Sequence, residues 1–162
     1  MKLLAALILL SACVMVVAPA VRAENASGTI SDSEIGMLPG SPFYFLKLWY
    51  ERVRLFFTFG DENKAQAYFH LAEVRFAEYQ RLVAQGKDKL AQETIGRYEN
   101  DLKNAQDILA RLAETGADVK NLAQKIQDAA AQQVMIIQRN IERLQGIRRS
   151  LEEAAKFERQ NP

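Results

Sequence analysis

The stretch AQETIGRYENDLKNAQDILARL, residues 91–112, decides the fold class of this chain. Its apolar residues recur in alternating steps of four and three, without a break, at Ala91, Ile95, Tyr98, Leu102, Ala105, Leu109 and Leu112. Such spacing places one apolar stripe along an α-helix, which is typical of a helix that packs lengthwise against other helices. Because Gly86 and Gly116 lie just beyond its two ends, the pattern predicts a helix over residues 89–114 between two short turns.

The segments on either side of this helix carry stripes of the same kind. Steps of four and three predict a helix over residues 62–85, with a seam formed by Ala65, Phe69, Ala72, Phe76, Tyr79 and Val83. A longer stripe predicts a helix over residues 119–157, with a seam formed by Val119, Leu122, Ile126, Ala130, Val134, Ile137, Ile141, Leu144, Leu151 and Ala155. Two successive steps of four, from Ile126 to Val134, predict a stutter in this last seam.

An aromatic segment, LPGSPFYFLKLWYERVRLFFTF at residues 38–59, precedes these three helices. Ser41 suits a helix cap and Pro42 suits a first helical position, so the segment predicts a helix over residues 42–59. We expect this helix to complete the wall of the bundle, with an inward face of Leu46, Trp49, Val53 and Phe56 and an outward stripe of Lys47, Glu51, Arg54 and Thr58. In two alternatives the helix binds a partner protein or a membrane surface, with contacts from Phe43, Tyr44, Trp49 and Tyr50.

The fold class that follows is all-α, an antiparallel bundle of about four helices, because short turns make neighbouring helices antiparallel. At ~1.5 Å per residue, the helix over residues 89–114 is roughly 39 Å long and the last helix is roughly 58 Å long. The last helix is therefore expected to overshoot its neighbours. The bundle domain spans residues 41–158, and no strand pattern interrupts it.

The N-terminal residues carry an export signal rather than a part of the fold. An apolar run over residues 3–18 and small residues up to Ala23 predict a signal peptide over residues 1–23. Two alternatives are a lipoprotein anchored at Cys13, which follows Leu-Ser-Ala, and an uncleaved anchor. In all three cases the rest of the chain is exported to the periplasm, the cell surface or the medium. Residues 24–40 are small and polar and predict a flexible tether.

Composition excludes several classes of function. Removal of the signal peptide takes away two of the 21 Lys and Arg residues and none of the 20 Asp and Glu residues, so the mature chain is nearly neutral. Without an excess of basic residues, the mature chain is not expected to bind nucleic acid. The mature chain has no cysteine, and His70 is its only histidine. Although His70 and Glu73 share a helical face, one histidine cannot supply a conventional nucleophile dyad or a closed set of metal ligands. The sequence therefore predicts no catalysis, no cofactor and no metal.

Two groups of residues resemble the DUF5667 family, an exported bacterial helical family of unknown function. The first follows an L-P-x-S-P-x-Y-x-L-K pattern and is formed here by Leu38, Pro39, Ser41, Pro42, Tyr44, Leu46 and Lys47. The second follows an L-A-E-x-R-x-A-E pattern and is formed here by Leu71, Ala72, Glu73, Arg75, Ala77 and Glu78. The resemblance implies export or envelope attachment and a helical fold, and it brings no activity and no site residue with it.

Two functions agree with these observations. The first is a non-catalytic module of the cell envelope that binds or scaffolds another protein through its helix faces. The second is a protein that associates with a membrane surface through its aromatic first helix. The mixed charges of that helix, over residues 47–54, favour the first function, since membrane-binding helices usually carry a strongly basic face.

Overall fold

The computed structural model describes residues 30–160. Its five α-helices in this range are α1 (Asp32–Ile35), α2 (Tyr44–Phe56), α3 (Asp61–Ala84), α4 (Asp88–Glu114) and α5 (Lys120–Gln160). No strand occurs within the described residues, and the predicted all-α fold is confirmed. The predicted signal peptide over residues 1–23, the alternative lipid site at Cys13 and residues 24–29 of the predicted tether lie outside the described residues.

The hairpin of α3 and α4 is the centre of the bundle. Alanines from both helices lie in shared buried clusters, and Ala65, Ala72, Ala91 and Ala105 are each at most 2% exposed. Small residues let two helix backbones approach closely, while the aromatic rings of the same seams fill the space beside them. The core face predicted from residues 91–112 is therefore confirmed.

α5 packs against this hairpin, but the stutter predicted in its seam is wrong. Gln133 is 1% exposed, whereas Val134 is 41% exposed. The buried positions Ile126, Ala130, Gln133 and Ile137 therefore keep steps of four, three and four. Continuous packing against the hairpin holds this register even though it places a polar side chain in the core.

The last part of α5 extends beyond its neighbours. Every side chain that the structure describes after Leu144 is exposed, including Leu151 and Ala155. Ile141 is also 39% exposed, so the predicted seam is wrong at these three positions because no neighbouring helix covers them. Residues 145–160 span roughly 24 Å. Within the part of the chain described, no helix combines the length and the apolar character that a membrane span requires.

Residues 31–40 differ from the predicted flexible tether. Ser31 caps α1 through a capping box, and Ile35 at the end of α1 is 4% exposed. Asp32 forms an ion pair with Arg81 of α3. This segment is therefore packed against the bundle rather than loosely attached to it.

The turn before α2 is held against α4. Gly40 has a φ of +93°, and a Cβ atom at this position would lie 2.8 Å from Cδ1 of Leu90. Glycine suits this position because it adopts a positive φ without strain and has no Cβ atom that would clash with Leu90. The neighbouring Pro39 is buried, so the turn packs closely against the bundle just before α2.

Candidate functional site

The two motifs noted in the sequence meet in space at one group of polar side chains. α2 places its residues 44–51 opposite residues 75–78 of α3, and α4 adds one acid from a third direction. We call this group the charged cluster; it is formed by Tyr44, Lys47, Glu51, Arg75, Glu78 and Asp101.

Glu78 is the centre of the charged cluster and is 0% exposed. Its Oε2 accepts a hydrogen bond from the hydroxyl of Tyr44 at 2.9 Å, and its Oε1 accepts one from Nη1 of Arg75 at 3.1 Å. Nζ of Lys47 lies 2.5 Å from the same Oε1 atom. Both carboxylate oxygens are therefore occupied by protein donors, so Glu78 holds α2 against α3.

Arg75 links α3 to both of its neighbours. Its guanidinium pairs with Glu51 of α2, and its Nε atom lies 3.6 Å from Oδ2 of Asp101 on α4. Burial is the largest single influence and acts to lower the pKa of Arg75, but Glu78, Tyr44 and Glu51 together outweigh it, so the pKa is raised. Burial also raises the pKa of Tyr44, and its hydroxyl therefore remains a donor.

We expect Asp101 to make the stability of the fold depend on pH. Burial raises its pKa to about 6; Arg75 opposes this shift, whereas Glu51 and Glu78 add to it. Because the folded-state pKa lies above the unfolded value of 3.8, the stability from protonation is complete below that value and is lost as the pH rises through about 6. Between pH 5 and pH 7 we expect the wild type to lose about 1 kcal/mol of unfolding free energy relative to Asp101→Asn. Urea unfolding at both pH values measures the difference, and a difference independent of pH would contradict this assignment.

The outer surface of α2 and its flanks is aromatic. We call this surface the aromatic ridge; its side chains are 47% to 78% exposed and belong to Phe43, Phe45, Leu46, Trp49, Tyr50, Phe56, Phe57 and Phe59. Of the four predicted contact residues, Phe43, Trp49 and Tyr50 lie on the ridge. The prediction is wrong for Tyr44, which is 6% exposed because its hydrogen bond to Glu78 turns the ring inward.

The predicted orientation of α2 is wrong at five of its eight assigned positions, whereas Arg54 is exposed as predicted and Val53 and Thr58 are half-buried. Leu46, Trp49 and Phe56 are 47%, 65% and 78% exposed, although the sequence predicts that they face the core. Lys47 and Glu51 face α3, although the sequence predicts that they face outward. Buried charges on α3 require counterions, so the polar stripe of α2 turns inward and its aromatic face turns outward.

His70 is not a member of the charged cluster. It lines a groove of about 800 Å³ beside α2 and α3, which Lys47 and Glu51 of the charged cluster also line. Glu73, on the same face of α3, has its pKa raised by burial. Among residues 30–160, no group of three or more His, Cys, Asp or Glu side chains is arranged to hold a metal ion.

Comparison with known families identifies one match. The profile of the family described as Domain of unknown function (DUF5667) matches residues 36–154. The chain belongs to the DUF5667 family. No curated protein and no solved structure matches it. The range matched to DUF5667 includes both motifs that supply the charged cluster, so in this protein those motifs contain the contacts that dock α2 on α3.

Sequence reasoning missed the charged cluster, although four of its six residues, Tyr44, Lys47, Arg75 and Glu78, lie in the motifs that resemble DUF5667. It assigned Lys47 to a solvated stripe and gave no role to Arg75 or Glu78. One signal was present: over residues 74–79 the two charges alternate with Val74, Phe76 and Tyr79. A helix segment with apolar residues on every side indicates burial on more than one face, and charges there require partners.

Proposed function

We propose that this DUF5667 protein is an exported, non-catalytic helical module that lies on a membrane surface through its aromatic ridge. The observation that carries the proposal is the exposure of the ridge on a helix whose inner face is held by ion pairs. A contiguous apolar surface on a monomer is characteristic of a binding site. Because charges on the inner face dock α2, its apolar face remains available for binding.

The charges on α2 support an anionic membrane as the partner of the ridge. Glu51, the single acid of α2, pairs with Arg75 and its side chain is 12% exposed. Arg52 and Arg54 are exposed. The outer face of α2 thus combines aromatic side chains with cations and carries no acid. Helices that lie in the membrane interface have this composition, since Trp and Tyr favour the headgroup region and basic residues attract anionic lipids.

The membrane is favoured over a partner protein for two further reasons. The mixed charges that counted against a membrane role include Lys47 and Glu51, and both are now paired with α3. In addition, each fate expected for residues 3–18 carries the chain across a membrane. Export to the periplasm or the cell surface would therefore place α2 near a lipid surface.

The proposal is tested with lipid vesicles, and Trp49 supplies the signal because it is the single tryptophan of the chain. We expect the chain from Glu24 onward to bind vesicles that contain phosphatidylglycerol, with a blue shift of Trp49 emission. Binding to vesicles of phosphatidylcholine alone should be weaker. Phe45→Asp, on the ridge, should weaken binding by about tenfold or more, since it replaces apolar contact area with a negative charge.

Phe157→Asp is the matched control, because Phe45 and Phe157 are 62% and 67% exposed and Phe157 lies at the far end of α5. This variant should bind vesicles as the wild type does. If the wild-type protein binds neither kind of vesicle, the membrane proposal is wrong and the protein-binding alternative takes its place. The same conclusion follows if Phe45→Asp and Phe157→Asp lower the affinity for vesicles equally.

A further inference from the structure

The last part of α5, residues 144–160, carries an apolar stripe that the rest of the described chain leaves largely exposed. Upstream, the side of α5 that contains Ile137 packs against the hairpin of α3 and α4. The same side continues at intervals of seven residues. We call this continuation the tail stripe; it is formed by Leu144, Ile147, Leu151 and Ala154. Ile147 and Leu151 are 52% and 65% exposed. Exposed apolar surface of this kind is characteristic of a contact site.

The charges around the tail stripe are arranged in two opposite halves. Arg148 and Arg149 come directly before the centre of the segment at Ser150, and Glu152 and Glu153 follow it. All four charged side chains are exposed. If two copies of the segment lie antiparallel about a two-fold axis near Ser150, the basic half of each copy faces the acidic half of the other. A parallel pair would instead place like charges side by side, which is unfavourable.

The ion pair within the segment shows which charges would meet. Nε of Arg148 lies 2.9 Å from Oε1 of Glu152, so both side chains are on one side of α5. Corresponding sides of two helices face each other in an antiparallel pair, so Arg148 of each copy lies near Glu152 of the other. An arginine has five N–H donors, and the pair within the chain uses one of them. The second copy can therefore add hydrogen bonds without breaking this pair.

We propose that residues 144–160 pair antiparallel with the same segment of a second copy of this chain. The two tail stripes form the apolar seam, and Arg148, Arg149, Glu152 and Glu153 flank it. The glutamates disfavour an anionic membrane as the alternative partner. A seam of this length is small for a protein interface, so the dimer is weak and depends on concentration. The segment is separate from the aromatic ridge and does not rest on the membrane proposal.

Sedimentation equilibrium of the chain from Glu24 onward, in buffer without lipid, tests the dimer. We expect a reversible equilibrium between monomer and dimer at concentrations between about 10 and 500 µM. Leu151→Asp should weaken the dimer by about tenfold or more and leave thermal unfolding unchanged, because Leu151 is exposed in the monomer. Met135→Asp is the matched control, since Met135 is 58% exposed and lies on another side of α5. A wild-type monomer throughout this range, or equal effects of the two substitutions, would overturn the proposal.

Charge reversal tests whether the two halves recognise each other. A chain with Arg148→Glu and Arg149→Glu should be monomeric, and so should a chain with Glu152→Arg and Glu153→Arg, because like charges then face each other. An equal mixture of the two chains should form a dimer at least as tight as that of the wild type. Dimers of either reversed chain as tight as the wild type, or a mixture that stays monomeric, would contradict the proposed pairing.

Cysteine crosslinking tests the orientation, since the chain from Glu24 onward has no cysteine. Ser150→Cys lies near the two-fold axis and should form a disulfide between two copies under oxidising conditions. Phe157→Cys lies seven residues later, so its two copies should be separated by about 21 Å along the helix axis. That distance is far too long for a disulfide, so this variant should remain uncrosslinked. Crosslinking of Phe157→Cys, or of neither variant, would show that the antiparallel arrangement is wrong.

Discussion

Replacing Leu109 with aspartate is expected to lower the unfolding free energy by more than about 4 kcal/mol, enough to unfold a small domain. Leu109 is 5% exposed and belongs to a buried cluster built from α3, α4 and the start of α5. An aspartate there would carry a charge into an apolar seam that offers no partner, and it would also leave unfilled volume. Thermal unfolding followed by circular dichroism measures the loss.

Asp107→Asn is the control for this prediction. Asp107 lies two residues before Leu109, is exposed and pairs with Lys103 at 2.6 Å. Exposed pairs contribute little, so the change in unfolding free energy should stay within about 0.5 kcal/mol. Similar effects of the two substitutions would show that the buried face of α4 is assigned wrongly.

Replacing Glu78 with glutamine is expected to cost about 3 to 5 kcal/mol of unfolding free energy. The carboxylate is fully buried and is the shared partner of Lys47 and Arg75. A neutral amide removes the negative charge that compensates both cations, and its NH2 group would point at donors rather than acceptors. Urea unfolding measures the cost. Glu62→Gln, an exposed position of α3, should change the stability by no more than about 0.5 kcal/mol.

A double-mutant cycle tests whether this cost arises at the contact between α2 and α3. Lys47→Met combined with Glu78→Gln should lose less stability than the sum of the two single changes, with a coupling energy between about 0.5 and 3 kcal/mol. A coupling energy near zero would show that Lys47 and Glu78 do not depend on each other. In that case the charged cluster would not be what docks α2.

The period of the apolar residues was enough to predict α3 and α4 because their contact face is filled almost entirely by apolar side chains. Leu109 and Ala105 could be placed in the core from their spacing alone. The same rule failed at Gln133, where the register of packing rather than polarity decides which residue is buried. It also failed at Leu151, since a periodic stripe does not reveal whether a neighbouring helix reaches it.

For α2 the rule misplaced five of the eight positions that it assigned to an inward or an outward face. Its aromatic side was assigned to the core because apolar burial was the single criterion applied, whereas the docking of α2 is determined by the buried charges Arg75 and Glu78 on another helix. Which face of α2 packs inward therefore depends on contacts with α3, and the apolar pattern of α2 alone does not reveal them. By contrast, the capping box of Ser31 and Glu34 is a local signal that the sequence contains, but it was not recognised, and the short helix within the expected tether was missed.

The docking of α2 through the charged cluster has a consequence for heat capacity. Exposure of apolar surface raises the heat capacity of a protein, and exposure of polar surface lowers it. Separating α2 from α3 would expose ion pairs and hydrogen-bonding groups together with half-buried leucines, so the two contributions oppose each other. Unfolding of α3, α4 and α5 would instead expose their apolar seams and give a large positive change. The free energy that holds α2 against α3 should therefore change almost linearly with temperature. The docking of α2, and with it the orientation of the aromatic ridge, should persist in the cold, where apolar packing weakens.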